Sequence, residues 1–145
     1  MVPKEVDNLL LPVPVSGSHI GFSTLRMEPC WMAMGQAAGI ASALSIDGKV
    51  KVQNIDLSRL QDKLIDQKAT LMYFKDVDYT SPHFRMVQYL GLRGYLPEWT
   101  ARLQEPVDAT TLAAWKKLSG TDLPGIEAGK TTRLATLEMI YRKIK

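Results

Sequence analysis

Cysteine is nearly missing: Cys30 is the single one among 145 residues. That excludes an intrachain disulfide framework and a cysteine-built zinc cage, and no metal site is expected. Long apolar runs are also absent. The longest, Leu9 to Val15, is broken by Pro12 and Pro14 and falls far short of the about 20 residues a membrane-crossing helix needs, so no membrane span is expected. The opening Met1-Val2-Pro3-Lys4-Glu5 lacks the basic-then-apolar order of a secretory signal, and the compartment stays open. The net charge is only +3, and the basic residues are dispersed except for Arg142, Lys143 and Lys145, so no nucleic-acid partner is expected. What is present, 46% hydrophobic and 23% charged residues, is the balance of a folded globular chain: one domain, or one small domain plus part of another.

Asn8 to Val15 is apolar without a two-residue alternation, which suits a strand buried on both faces and ending near Leu11 or Pro12. Ser16-Gly17-Ser18-His19-Ile20-Gly21 then reads as a tight polar loop. Pro29 fits the first turn of a helix over about 29–45, with Glu28 near its cap and Asp47-Gly48 as its stop. Asp56 caps a second helix carrying Leu57, Leu60, Leu64 and Ile65. Beyond about 68–76 the pattern changes to short helices. One is expected to start at Ser81-Pro82 and stop at Gly94, one runs from the Asp108 cap to Gly120, and a last one starts near Thr131 or Thr132. A lone buried strand is left with unpaired edges, so residues 1–70 read either as a small α/β domain with further strands or as the tail of a larger one.

The strongest local signal is Arg26-Met27-Glu28-Pro29 leading into Gly35-Gln36-Ala37-Ala38-Gly39. Glycines four apart let one side of a helix lie against a backbone or a planar ligand; tight helix-on-sheet packing explains them equally well. Arg26 stands beside a helix amino terminus, where the macrodipole already carries positive partial charge. Either Glu28 compensates it or a bound anion does.

At these residues the chain resembles the carboxyl-terminal end of the FAD-binding domain of FAD-dependent oxidoreductases. The nearest likeness is a bacterial group with a Ser-Ala-Thr-His loop, a Ser-x-Arg-x-x-Pro turn and a Gly-Gln-Ala-Ala-Gly helix. Here the loop is Ser16-Gly17-Ser18-His19, the turn Thr24 to Pro29, and the helix Gly35 to Gly39. The Arg…Gly-Arg-Ala-Ala-Gly end of fumarate-reductase-like flavoproteins, and glutathione-reductase-like flavoproteins more broadly, point the same way. The resemblance implies an α/β fragment, the last strand plus helices of an FAD-binding domain, with the helix amino terminus facing the flavin ring during hydride transfer from a small organic substrate. It implies Ser18, Met27, Glu28, Pro29, Cys30, Trp31 and Gly35 as cofactor-binding residues and His19 and Arg26 as catalytic ones. The Gly-x-Gly-x-x-Gly fingerprint that carries the pyrophosphate is nowhere in the sequence. FAD is therefore not expected to be held by this chain alone, and a missing amino-terminal FAD-binding portion is the expected partner. For Cys30 itself, a packed cysteine is the plainer reading.

Residues 76–145 resemble S-layer homology modules. Asp76-Val77, His83-Phe84, Leu90 and Arg93-Gly94 follow their Asp-Val…His-Trp…Leu…Gly pattern, and Thr132-Arg133 follows the start of their Thr-Arg-Ala-Glu signature, with Leu134-Ala135 replacing its end. This implies a small all-α module, and hence a chain that is mostly helical overall. It also implies an alternative function: non-catalytic binding of a cell-envelope polymer or partner chain. Gly125 to Thr131 imitates a phosphate loop but has three residues between its glycines instead of four, so nucleotide binding is not expected.

Overall fold

The computed structural model describes residues 2–145. The chain divides into two compact units, Met1–Ala69 and Thr70–Lys145. The architecture is mostly helical, and the one β-type pairing among the described residues is an isolated antiparallel bridge between Pro106 and Thr132.

The first unit contains α1 (His19–Leu25), α2 (Glu28–Gly48), a 3-10 turn (Val52–Asn54) and α3 (Leu57–Asp66). Ser18 starts α1 because its Oγ accepts the Gly21 N–H at 3.1 Å. The expected polar loop at 16–21 is thus corrected: its second half is the first turn of a helix. Pro29 sits in the first turn of α2, where its missing N–H removes no helical bond. The helix outlasts the expected stop, because Lys49 takes the left-handed conformation (φ 51°) and the Val50 N–H closes onto the Ser45 carbonyl at 3.0 Å. Asp56 caps α3 as expected, accepting the Ser58 and Arg59 amides. Ala38, Ala41 and Leu44 of α2 are buried, as are Leu64 and Ile65 of α3 and Val52 of the 3-10 turn.

The expected strand at Leu9 to Pro12 does not form. No described residue offers it a ladder, and the prolines withhold two donors. Side chains anchor the segment instead. Asn8, at φ 57°, accepts the Val52 N–H on its Oδ1 at 3.2 Å, Gln53 Nε2 donates to the Val6 carbonyl at 3.1 Å, and Lys51 pairs with Asp7 at 2.5 Å. A tight turn about Pro14, with the Val15 N–H on the Val13 carbonyl at 2.8 Å, ends it.

The second unit contains α4 (Phe84–Gly91), α5 (Ala109–Ser119) and α6 (Arg133–Ile144). α4 starts later than the Ser81-Pro82 signal predicts. Ser81 spends its Oγ on the His83 amide and its carbonyl on the Phe84 amide, a turn that precedes the helix. Gly94 lies beyond α4 at φ 83° and closes the following turn. Asp108 and Thr132 cap α5 and α6 through the Thr111 and Ala135 amides, and Gly120 (φ 61°) ends α5. The core is continuous: Val87 and Leu90 of α4, Leu112 and Trp115 of α5, and Leu137 and Ile140 of α6 pack with Phe74, Tyr95, Leu96 and Val107. Gln88, fully buried, clips the incoming chain to α4. Its Oε1 accepts the Leu71 and Met72 amides, each at 2.8 Å, and its Nε2 donates to the Met72 carbonyl at 2.7 Å.

No helix among the described residues is long and apolar enough to cross a membrane. None of them forms a group of three or more His, Cys, Asp or Glu able to hold a metal ion.

Candidate functional site

The nine residues singled out in the first unit fall on two consecutive helices that touch each other. Ser18 is spent as the α1 cap, and His19 is exposed at that end. Arg26 lies at the other end of α1, so the rise of the helix separates the two by roughly 10 Å and they do not form one catalytic pair. Arg26 instead adjoins the α2 tip. Among the described residues it makes no ion pair with Glu28, which stands in the first turn of α2 and offsets the positive helix end there, while the exposed Arg26 guanidinium lies beside that same end.

Donors at the tip are fewer than a free helix end would provide. Pro29 has none, and the Cys30 and Trp31 amides both turn to the Met27 carbonyl, at 3.0 and 3.3 Å. The field of the aligned peptides remains, and the tip is bordered by exposed Met27 and half-buried Cys30 and Trp31. The Trp31 indole Nε1 is shielded from solvent and has no hydrogen-bond partner among the described residues. One turn further on, a Cβ added to Gly35 would meet no atom within 4 Å, and the same holds for Gly39. Neither glycine is needed for contact within this chain, which removes the internal packing explanation for the pair. The tip thus combines a positive helix end, the Arg26 cation beside it, the Glu28 carboxylate in its first turn and a glycine flank free of side chains.

Residues 1–64 match the family model described as FAD dependent oxidoreductase. The match covers α1, α2 and most of α3, with every candidate residue named above, and it stops before the second unit. No curated protein and no solved structure matches the chain. None of these comparisons supports the expected likeness of residues 76–145 to S-layer homology modules.

In that unit Arg133 is only 7% exposed. Its Nε donates to the Ala101 carbonyl at 2.9 Å and its guanidinium carbon lies 5.0 Å from the centre of the Trp115 ring. Burial, with Arg102 nearby, holds its pKa below the ordinary guanidinium range. It lines a cavity of about 200 Å³ together with Thr110 and Thr111 at the start of α5, Tyr95, Glu98 and Trp115. Asp76 is used structurally: its carboxylate accepts the Ala101 and Arg102 amides at 2.8 and 2.7 Å. The phosphate-loop imitation is a pair of turns, in which Thr131 Oγ1 accepts the Glu127 amide.

The roles of Trp31 Nε1 and Gln88 were not legible in the sequence. Periodicity marks which side chains go inside, and it carries no information on whether a buried N–H finds an acceptor.

Proposed function

We propose that residues 1–64 serve as the carboxyl-terminal part of the FAD-binding domain of an oxidoreductase, with the tip of α2, Met27 to Trp31, against the flavin ring. The observation that carries this reading is the family match, because it contains the whole α1–α2 constellation. When bound, the flavin supplies hydride acceptance from a small organic substrate, which leaves negative charge on one edge of its ring. The amino-terminal end of α2 stabilises that charge through its aligned peptide dipoles. Arg26 adds a formal cation next to the same end and binds an anionic group of substrate or ring. His19, at the far end of α1, orients the substrate and exchanges a proton through its imidazole nitrogen. Gly35 admits the ring edge to the helix flank. The phosphates are held by a partner portion bearing the glycine-rich fingerprint that these 145 residues lack.

Purification of the native assembly that contains this chain, followed by an absorbance spectrum, tests the reading. A flavin spectrum in the assembly and a colourless isolated chain are expected. An assembly without flavin overturns the reading, and tight stoichiometric FAD binding by the chain alone overturns the division of labour.

A second reading, for Thr70–Lys145, is favoured by Arg133: a buried cation with no carboxylate in ion-pair contact among the described residues, beside the amino terminus of an 11-residue helix, suits an acidic group of an envelope polymer. Co-sedimentation with cell-envelope material tests it, and absence of retention removes it.

A further inference from the structure

The cavity beside the start of α5 is lined by two opposite charges. Arg133 is 7% exposed, and its Nε is spent on the Ala101 carbonyl at 2.9 Å. Its two terminal nitrogens make no hydrogen bond or ion pair among the described residues, yet neither is sealed from solvent. The little of this residue that stays accessible therefore includes its charged end, and the residue lines the cavity of about 200 Å³. Trp115, also in the lining, steadies it: the guanidinium carbon lies 5.0 Å from the ring centre, and the indole N–H is fixed on the Tyr95 carbonyl at 2.7 Å. A guanidinium taken out of water with donors left over is costly, and a bound acceptor offsets that cost. Glu98 lines the same cavity. One of its carboxylate oxygens pairs with Arg102, and the other makes no bond among the described residues.

We infer that this cavity takes an α-amino-acid head group, its carboxylate on Arg133 and its ammonium on Glu98; this rests on the reading of Arg133 given above and names the acidic group. A simple anion is drawn to Arg133 but repelled by the carboxylate on the same lining. A neutral ligand leaves the guanidinium without a counter-charge. A head group that bears both charges on one carbon satisfies both walls, and a cavity of about 200 Å³ has room for a ligand of that size rather than for a run of sugars. The planar fork of the guanidinium suits the two oxygens of a carboxylate. The amino terminus of α5 adds positive partial charge, and Thr110 in its first turn brings a hydroxyl with no other partner among the described residues. Ala114 and Leu118, one turn apart on α5, offer apolar contact to a small side chain. Free amino acids carry such a head group, and so do amino-acid substituents of envelope polymers.

The test is a titration of the ¹⁵N-labelled full chain at constant ionic strength with L-alanine, with propionate, which lacks the ammonium, and with alanine amide, which lacks the carboxylate. The Thr110 and Thr111 amides and the Trp115 indole N–H report binding. Alanine is expected to bind about 2- to 5-fold more tightly than propionate, a modest margin because the Glu98 side chain is 61% exposed, and alanine amide is expected to move none of these signals. Glu98→Gln should bring alanine and propionate to equal affinity. Equal affinity in the unaltered chain overturns this inference and leaves Arg133 as a receiver of simple acidic groups. No movement with either ligand overturns both. Undiminished alanine binding by Arg133→Gln also overturns it, and if that variant does not fold, Glu98→Gln decides alone. Two outcomes uphold it and separate the sources: release of envelope-bound chain by alanine but not propionate identifies a polymer-borne amino acid, and alanine binding without envelope retention identifies a free one.

Discussion

The two units divide the apolar surface of the chain unequally. Among the described residues, sixteen of the buried apolar side chains belong to Thr70–Lys145 and six to Met1–Ala69. Exposure runs the other way: eleven of the fifteen large exposed hydrophobics lie in the first unit. Met32 and Ile46, 73% and 76% exposed, stand on the open side of α2, with Gly39 and Ala43 between them. A helix apolar on all sides is built to be covered on all sides. Charge does not compensate, since the first unit holds seven basic and seven acidic residues against eleven and eight in the second. The second unit completes its own core. The first supplies helices whose outer faces, on the reading proposed above, belong under the remainder of an FAD-binding domain.

This contrast has a direct thermodynamic form. Leu90→Ala, at a fully buried site of the larger core, should cost about 2–5 kcal/mol, whereas Leu64→Ala should cost distinctly less; urea unfolding of each variant measures both, and equal losses would break the contrast. Gln88→Leu removes the partners of three backbone groups at the start of the second unit and should cost about 2–4 kcal/mol in the same assay.

A smaller effect sharpens the account of the caps. Thr132→Ala should lower stability by about 1 kcal/mol through loss of the bond to the Ala135 amide. Asp108 adds a pH dependence. Its hydrogen bonds to Thr111 hold its pKa below the usual carboxylate range, so the stabilisation is present once the unfolded-state carboxyl is ionised and disappears as pH falls through the folded value. Asp108→Asn should flatten the acid limb of a stability–pH curve, and an unchanged limb would assign the slope to other carboxylates.

The smallest change is expected in the first unit. Gly35→Ala gains helix propensity at an open position and should stabilise the isolated chain by about 0.5–1 kcal/mol, read as a higher thermal midpoint. The same methyl group should lower the flavin content of the native assembly that contains the chain. A variant that is more stable and binds equally well would show that the ring does not approach that flank.

Much of the helical plan was legible from local chemistry. Asp56, Asp108 and Thr132 announce helix starts because a side-chain oxygen satisfies an orphaned amide within three residues, and Gly120 announces a stop because it takes positive φ without strain. Where an element depends on something distant, the reading failed. Leu9 to Pro12 is apolar enough for a strand but has no described neighbour to pair with, and Ser18 looked like loop until its hydroxyl met Gly21. The candidate site divides in the same way. The Arg26-to-Gly39 pattern placed a helix start at Glu28-Pro29, where α2 does begin. The separation of His19 from Arg26 by the length of α1 required the fold, as did the absence of a bond between Arg26 and Glu28.

The amino-acid order alone marked the starts of α2, α3, α5 and α6 and the mostly helical character of the chain, since capping bonds and backbone preferences act over three or four residues. Only the tertiary structure decided which apolar faces find cover, which helix ends keep free charge and which indole lacks an acceptor. Those outcomes depend on groups brought together from far along the chain, and burial and desolvation take their values only once that packing exists.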